Sequence, residues 1–205
     1  MYEFIEIQEF GANIITLTFF ITLFFTILQG YALIRQSLKI LKNKSGKSVS
    51  FTFFCYYSFS ALAVIIYGLY KHSLALSING LLGFIALFVV INIWRFKEIS
   101  RNEKIIGLGS AIVIPLIIFL PQKDTLFLVF GSVVTWAIVS QILEIWKNKS
   151  SGSVDPGQTI TSIFSSLFWL SYAIVMKIWP MEIFNSLGFI LWLIMLLSYL
   201  KFKDK

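Results

Sequence analysis

Long apolar runs separated by short polar segments make up almost the whole chain. Each run is close to the length of about 20 residues that a helix needs to cross a bilayer. The strands of a membrane barrel would instead alternate apolar and polar residues over short segments. The pattern therefore predicts an all-α membrane protein with seven transmembrane helices. The runs lie at about 11–34, 50–70, 74–94, 105–120, 125–145, 158–176 and 181–200.

The pattern also contains an internal repeat. The motif "KNKS" at 42–45 recurs at 147–150, which is an offset of 105 residues. Asn79 and Asn185 are 106 residues apart, so the register slips by one residue near the start of the third run. Further pairs at the offset of 105 are Gln36 and Gln141, Ser60 and Ser165, Val64 and Trp169, Tyr67 and Tyr172, and Gly83 and Gly188.

Each repeat holds three of the runs, and the fourth run lies between the repeats. Three spans end on the opposite side of the membrane from where they began, so one extra span restores the orientation for the second copy. The repeats are then parallel and related by an axis along the membrane normal. We predict a first triple-helix bundle over 10–97, an inversion-linker helix over 104–121 and a second triple-helix bundle over 124–201.

Composition agrees with a membrane location, and the charges indicate the topology. Only 13% of the residues are charged, against about 25% in a soluble domain. When the spans alternate sides, 14 of the 17 Lys and Arg residues fall on the side of the C-terminus, and positive charge marks the cytoplasmic side. We therefore expect a cytoplasmic C-terminus, an outer N-terminus and a multi-pass protein of the plasma membrane. The net charge of +7 then reflects topology, and no nucleic-acid partner is expected.

The N-terminal stretch "MYEFIEIQEF" is acidic and carries no Lys or Arg. A secretory signal peptide begins with positive charge before its apolar core, so the first run is expected to remain as a span. Glu3, Glu6 and Glu9 would then belong to a short tail that is left outside the membrane.

Residues that could catalyse a reaction or bind a metal are scarce. The sequence has one His and one Cys, which allow no catalytic set, internal disulfide or cysteine metal cluster. No Asp or Glu lies near the middle of a span, and this argues against a proton-driven mechanism. We predict no enzymatic activity, no metal and no cofactor. The expected partners are the lipid bilayer and a small molecule, and association into a homo-oligomer stays open.

Two asparagines are the most informative polar residues within the spans. Asn79 and Asn185 lie in the outer-middle part of the third and seventh runs. An amide without a partner in hydrocarbon costs a few kcal/mol, so both should face the bundle interior. Hydrogen bonding between helices is the simpler explanation. Two asparagines at equivalent points of two repeats could instead bind one polar ligand near the axis between the repeats.

The second and sixth runs each carry a stripe of residues on one helix face, with steps of three, four and three. The stripes are Tyr57, Ser60, Val64 and Tyr67 in the second run, and Ser162, Ser165, Trp169 and Tyr172 in the sixth. Both are expected to face a cavity between the repeats, although small residues such as Ser also favour ordinary helix packing. Of the deeper tryptophans, only Trp169 shares a face with polar residues. Indole stacks on the apolar face of a sugar ring, while Asn hydrogen-bonds its hydroxyl groups.

Three glycines follow the asparagines within about one turn. They are Gly80, Gly83 and Gly188. A glycine in a span lets a neighbouring backbone approach closely, so we expect tight helix contacts at all three.

Several motifs, taken in order, resemble those of the SWEET sugar transporters within the wider MtN3 and PQ-loop group. "INGLLGF" in the third run and "FNSLGFILWLIMLLSY" in the seventh are similar to the Asn-Gly patterns of that family. "KNKS" resembles its Lys-Ser loop, and "FWLSYAI" resembles its Trp-Tyr stretch. The resemblance covers about residues 10–200.

The resemblance implies passive, bidirectional transport of mono- or disaccharides by alternating access, in two triple-helix bundles joined by a linker helix. It implies a central pocket formed by Asn79, Asn185 and Trp169, with Val64 where the first repeat would often hold Trp. Ser60 and Ser165 lie one turn away on the same faces. The expected gating or hinge residues are Gln36, Gln141, Tyr67 and Tyr172.

The chain departs from the family at the prolines of the first helix of each bundle. Arg35 precedes Gln36, and Ser140 precedes Gln141, where the PQ-loop relatives have Pro. Two alternatives to a sugar facilitator stay open. One is a proton-coupled transporter of amino acids or other small solutes, and the other is a receptor of the same fold that transports nothing.

Overall fold

The computed structural model describes residues 3–203, which are helical almost throughout and contain no strand. Seven segments are long and apolar enough to cross a membrane. The predicted all-α fold with seven transmembrane helices is therefore confirmed. The helices are α1 Ile5–Gln8, α2 Ile14–Asn43, α3 Phe51–Tyr70, α4 Leu74–Gly80, α5 Leu82–Phe96, α6 Arg101–Gly109, α7 Val113–Phe119, α8 Lys123–Asn148, α9 Pro156–Val175 and α10 Trp179–Lys201.

Two of the seven spans each consist of two of these helices. Helices α4 and α5 together form the third span, Leu74–Phe96. Helices α6 and α7 form the fourth span, Arg101–Phe119, and a 3₁₀ turn at Ser110–Ile112 joins them. The short helix α1 precedes the first span.

The repeated "KNKS" motif is a helix C-cap that occurs once in each repeat. Helix α2 ends at Asn43 and α8 ends at Asn148. The next residues, Lys44 and Lys149, adopt the left-handed conformation with φ of 47° and 45°, as is common where a helix ends. Helix α2 thus continues nine residues beyond the apolar run that ends at 34, because its polar tail also consists of residues that tolerate a helix.

Equivalent residues also start the second helix of each repeat. The Ser50 side chain accepts a hydrogen bond from the Phe53 N–H at the start of α3. At the offset of 105, Asp155 accepts one from the Gly157 N–H at the start of α9. Both are N-caps, which satisfy backbone donors that a helix leaves free in its first turn.

The helices pack in the same way in both repeats. In the first repeat, the third span lies against both α2 and α3, and in the second repeat α10 lies against both α8 and α9. The two repeats meet through equivalent pairs, α2 with α9 and α8 with α3. The fourth span packs mainly on α3. This arrangement supports parallel repeats, and we propose the predicted bundle boundaries on that basis.

The one-residue slip between the repeats coincides with a break in the third span. Around Leu81, which separates α4 from α5, the backbone makes tight bonds of the i to i−3 type: Leu81 N–H to Ile78 O at 3.0 Å and Phe84 N–H to Leu81 O at 3.1 Å. Helix α10 passes the equivalent position without a break. The break in the first repeat thus lies directly after Asn79, where the register of the two repeats changes.

The glycines of the two repeats differ in their surroundings. A Cβ atom on Gly83 would lie 2.6 Å from Ser58 O, and one on Gly80 would lie 2.7 Å from Ala61 O. The third span therefore packs backbone to backbone against α3, as predicted. For Gly188 the prediction is wrong, because the nearest atom, Ser166 Oγ, would lie 3.8 Å away. Helix α10 leaves open space there because the cavity described below begins at this residue.

Replacing Gly83 with alanine is expected to destabilise the protein by about 1–3 kcal/mol, since the added methyl overpacks a backbone contact. The matched change, Gly188→Ala, should be neutral or stabilising, because alanine favours a helix by about 1 kcal/mol over glycine. Thermal unfolding in detergent measures both. Equal shifts for the two variants would contradict the difference in packing.

Candidate functional site

A cavity of about 160 Å³ lies between the two repeats. The structure places all six residues that were predicted to contact the substrate around this single cavity. Three come from the first repeat and three from the second: Ser60, Val64, Asn79, Ser165, Trp169 and Asn185. The cavity has many times the space that one water molecule needs, so it can enclose a small ligand.

Three buried polar groups at this cavity have no hydrogen-bond partner within the described residues. They are the hydroxyl groups of Ser60 and Ser165 and the indole N–H of Trp169. A buried polar group without a partner costs about 1–3 kcal/mol, and native proteins leave few of them. Ser48 and Thr159 also have buried hydroxyl groups without a partner in the described part of the chain, but neither residue lines the cavity. The three groups at the cavity could form hydrogen bonds with a polar molecule that binds there.

Each asparagine retains part of its hydrogen-bonding capacity. Asn79 Oδ1 lies 3.3 Å from the hydroxyl group of Thr26, which donates to it. Asn185 Nδ2 donates to the carbonyl oxygen of Met181 at 2.9 Å. A primary amide offers two donors and two acceptor sites, so neither bond exhausts its side chain. Thr26 belongs to α2, so the bond of Asn79 joins two helices, whereas the bond of Asn185 stays within α10. Both asparagines also line the cavity.

The remaining wall of the cavity is largely aromatic and apolar. The Trp169 ring packs edge-on against Tyr172, with a distance of 5.4 Å between ring centroids, and Val64 lies at the equivalent position of the first repeat. Within the described residues, no acidic or basic side chain lines the cavity. Such a surface suits an uncharged ligand that has both apolar and hydroxyl-bearing faces.

Sequence reasoning missed a second tryptophan in the wall. Trp192 is 6% exposed and lines the cavity, whereas Trp136 is 70% exposed and faces away from the protein. Helix α10 carries apolar residues on all sides, so the pattern of apolar positions does not show which side faces the cavity. A signal was nevertheless present, since Trp192 follows Asn185 by seven residues, or about two turns on the same helix face.

The tyrosine layer lies next to one end of the cavity and consists of Tyr67, Tyr172 and their acidic partners Asp124 and Glu6; its two rings pack on the lining residues Phe127 and Trp169. The Tyr67 hydroxyl donates to Asp124 Oδ1 at 2.6 Å, and the Tyr172 hydroxyl donates to Glu6 Oε1 at 2.5 Å. Tyr172 follows Trp169 by three residues, so it lies about 5 Å further along α9. The bond of Tyr67 joins α3 of the first repeat to α8 of the second. The bond of Tyr172 joins α9 of the second repeat to α1.

Aromatic stacking and an ion pair reinforce the first half of the tyrosine layer. The Tyr67 ring stacks on Phe127 of α8, with 3.7 Å between centroids. Lys71 Nζ lies 2.8 Å from Asp124 Oδ1. Asp124 therefore accepts from both a tyrosine and a lysine of the first repeat, although it belongs to the second.

The glutamine layer lies towards the other end of the helices and consists of Gln36, Gln141 and the backbone of 48–50 and 153–155. Gln141 Nε2 donates to Ser48 O at 2.6 Å, and its Oε1 accepts from the Ser50 N–H at 2.7 Å. At the offset of 105, Gln36 makes the same two bonds, to Ser153 O at 2.8 Å and from the Asp155 N–H at 2.6 Å. Each glutamine thus binds the loop of the other repeat.

Two lysines form further hydrogen bonds at the glutamine layer, and these bonds differ between the two repeats. Lys39 Nζ donates directly to Val154 O across the repeats. Its equivalent in the second repeat is Glu144, which cannot donate. Lys97 compensates, because its Nζ lies 3.2 Å from Glu144 Oε2 and donates to Val49 O at 2.9 Å. Val49 and Val154 are equivalent residues, so the backbone contact is kept on both sides.

The four residues predicted to form gates or hinges lie in these two layers, one glutamine and one tyrosine from each repeat. Asp155, at the start of α9, lies about 20 Å along the helix from Trp169. The cavity therefore sits between two hydrogen-bonded layers, and both layers join the repeats.

Comparisons with known proteins agree with this architecture. Residues 125–205 match the MtN3_slv family, which is described as a sugar efflux transporter for intercellular exchange. The fold is similar to that of a eukaryotic SWEET transporter, with a TM-score of 0.50 and 18% sequence identity over 87% of this chain and 98% of that chain. No curated protein sequence matches the chain significantly. The resemblance seen in the sequence motifs is thus confirmed: the chain has the SWEET fold over most of its length and matches the sugar efflux family in its second repeat.

Proposed function

We propose that the protein is a passive membrane transporter that moves mono- or disaccharides in either direction by alternating access. The observation that carries the proposal is the set of three unsatisfied polar groups around the cavity, namely Ser60 Oγ, Ser165 Oγ and Trp169 Nε1. Both the matched family and the similar structure are transporters, and the family is one of sugar transporters rather than of enzymes.

A sugar satisfies both kinds of surface in the cavity. The Trp169 ring offers an apolar face for the C–H groups of a pyranose, and its N–H offers a hydrogen bond at the ring edge. Asn79 and Asn185 approach from opposite repeats, so they can bind hydroxyl groups on two sides of one ring. Val64 provides no matching platform in the first repeat, and we therefore propose that the sugar stacks only on the side of Trp169.

The two layers suggest how transport occurs, because the hydrogen bonds in each layer must break before the repeats can separate on that side of the cavity. When the repeats rock in one direction, the glutamine layer breaks and the tyrosine layer stays intact. When they rock in the other direction, the tyrosine layer breaks and the glutamine layer stays intact. Both layers are formed in this structure. Gln36, Gln141, Tyr67 and Tyr172 would act as latches, and continuous helices α2 and α8 without interior proline would move as rods.

We propose that the tyrosine layer faces outward and the glutamine layer faces the cytoplasm, with the C-terminus inside. The charge count supports this orientation, since the basic loops after α2 and α8 belong to the glutamine layer. We also propose that the protein lies in the plasma membrane.

A second candidate is a proton-coupled transporter of amino acids or other small solutes. Glu6 favours it, because this carboxyl group is buried and contacts a residue next to Trp169. The cavity itself argues against it, since none of the residues that line it is acidic, basic or His. A sugar facilitator explains the unsatisfied groups without an ion.

Uptake into liposomes that contain the purified protein tests the proposal. A panel of glucose, sucrose and representative amino acids, each with and without a pH gradient, distinguishes the candidates. We expect at least one sugar to enter to its equilibrium level, independently of the pH gradient. Uptake of an amino acid that follows the gradient would favour the second candidate, and binding of a ligand without flux would indicate a receptor.

A further inference from the structure

The two tyrosines of the tyrosine layer are equivalent, but their acidic partners are not. Asp124, the partner of Tyr67, is the second residue of α8. The equivalent position in the first repeat is Phe19, on α2. The partner of Tyr172 is instead Glu6, which belongs to the short helix α1 in front of the first span. The N-terminal segment thus supplies an acidic group that the repeat itself lacks.

Glu6 belongs to the N-terminal segment that is expected to lie outside the membrane, but its side chain is not exposed to solvent. Its side chain is buried, with 1% of the residue exposed. Its Oε1 accepts hydrogen bonds from the Ser73 hydroxyl at 2.9 Å and the Ala75 N–H at 3.1 Å, and its Oε2 accepts from the Leu74 N–H at 3.0 Å. Together with the Tyr172 hydroxyl, these donors saturate the carboxylate, which is how a buried charge becomes tolerable.

The four donors come from both repeats. Ser73, Leu74 and Ala75 lie at the start of the third span in the first repeat, whereas Tyr172 lies at the end of α9 in the second. The α1 backbone is also attached to the first repeat, through a bond of 2.8 Å from the Ile5 N–H to His72 O. The segment is therefore fixed on the first repeat and reaches the second through the Glu6 carboxylate.

Two contacts of the Tyr172 hydroxyl must break when this half of the tyrosine layer opens: the bond to Glu6 Oε1 at 2.5 Å and the contact with the Ser73 hydroxyl at 2.6 Å. After they break, three donors of the first repeat still satisfy the carboxylate, so the charge is not left unpaired. The share of the opening cost that Glu6 contributes is then close to that of one hydrogen bond to a charged group, which corresponds to a factor of about ten or more in an equilibrium constant. A contact of this strength is suited to control a gate.

We propose that residues 3–13 form a strap across the tyrosine layer, and that Glu6 sets how often this side of the cavity opens. The inference rests on the proposed function for its meaning in transport, but its test does not depend on transport. The strap is specific to one half of the layer, since the other half is held by Asp124 and Lys71.

Thiol accessibility of the cavity measures the opening directly. Val134→Cys places a thiol at the cavity wall, and the unmodified chain reports the background from the buried native Cys55. In liposomes, a membrane-impermeant maleimide is added on the side of the N-terminus. We expect Glu6→Gln to raise the labelling rate about tenfold. The control Glu9→Gln changes an exposed carboxylate of the same segment and should leave the rate unchanged.

A double-mutant cycle with Tyr172→Phe separates a strap from a general loss of stability. Tyr172→Phe removes only the hydroxyl group, and it should raise the labelling rate by itself. If Glu6 acts through Tyr172, the double variant should label no faster than the faster single variant, because the shared bond is already lost. A labelling rate that stays unchanged in both single variants, or that multiplies in the double variant, overturns the strap. Absence of sugar uptake with a normal labelling response would overturn the proposed function and leave the strap intact.

Discussion

Replacing Trp169 with alanine is expected to lower sugar uptake into liposomes by about a hundredfold or more. The change removes a stacking platform and an N–H donor together, which are worth about 3 kcal/mol in combination. Trp169→Phe keeps an aromatic ring and loses the donor, so it should retain part of the activity, at about a tenth of the original rate. Initial uptake rates for the sugar identified in the panel provide the measurement.

The matched control for this prediction is Trp136→Ala. Trp136 lies on α8 and is 70% exposed on the outer surface of the helices, so its removal should leave uptake unchanged. Trp169 is buried, and its truncation also costs about 3–5 kcal/mol of stability. Thermal unfolding of each variant must therefore accompany the rates. Unchanged uptake by a folded Trp169→Ala variant would contradict the proposed binding site.

Replacing Gln141 with alanine is the second change for which we expect a large effect. The substitution leaves Ser48 O and the Ser50 N–H without their partner, at a cost of about 1–3 kcal/mol for each group that stays buried. Opening the glutamine layer exposes both groups to water and relieves this cost. The variant should therefore populate the state open on that side at least about tenfold more, and net uptake should fall by a similar factor.

Gln36→Ala should have the same effect, because Gln36 makes the equivalent pair of bonds to the other loop. Asn148→Ala is the control, since Asn148 bonds only to Glu144 on its own helix among the contacts seen. Maleimide labelling of Val134→Cys from the side of the C-terminus measures the opening. Faster labelling in the Asn148 variant than in either glutamine variant would show that the glutamines are not latches.

The seven spans and the repeat could be predicted from the sequence because both are local properties. Hydrophobic runs of sufficient length identify spans without knowledge of packing, and an offset of 105 is visible by aligning the chain with itself. The same offset identified Ser60 and Ser165 as equivalent residues of the two repeats, and likewise Gln36 and Gln141. The structure then brought the six candidate contact residues to one cavity, and their role in binding stays a proposal.

The acidic half of the tyrosine layer could not be predicted, because it depends on tertiary contacts. Glu6 lies 166 residues from Tyr172 along the chain, and nothing in the pattern of α1 indicates that this helix folds back. Lys97 was missed for a similar reason, since its role appears only when Glu144 is seen to lack a donor. The prediction of close packing at Gly188 was wrong because a glycine in a span marks close packing in one repeat and open space in the other.

The most direct test of the account is whether a sugar in the cavity protects it from modification. The Val134→Cys variant in liposomes is treated with an impermeant maleimide from either side, with and without the transported sugar. We predict labelling from both sides, because the cavity opens to each in turn, and slower labelling when the sugar is present. Labelling that is confined to one side, or that the transported sugar does not slow, would contradict alternating access through this cavity.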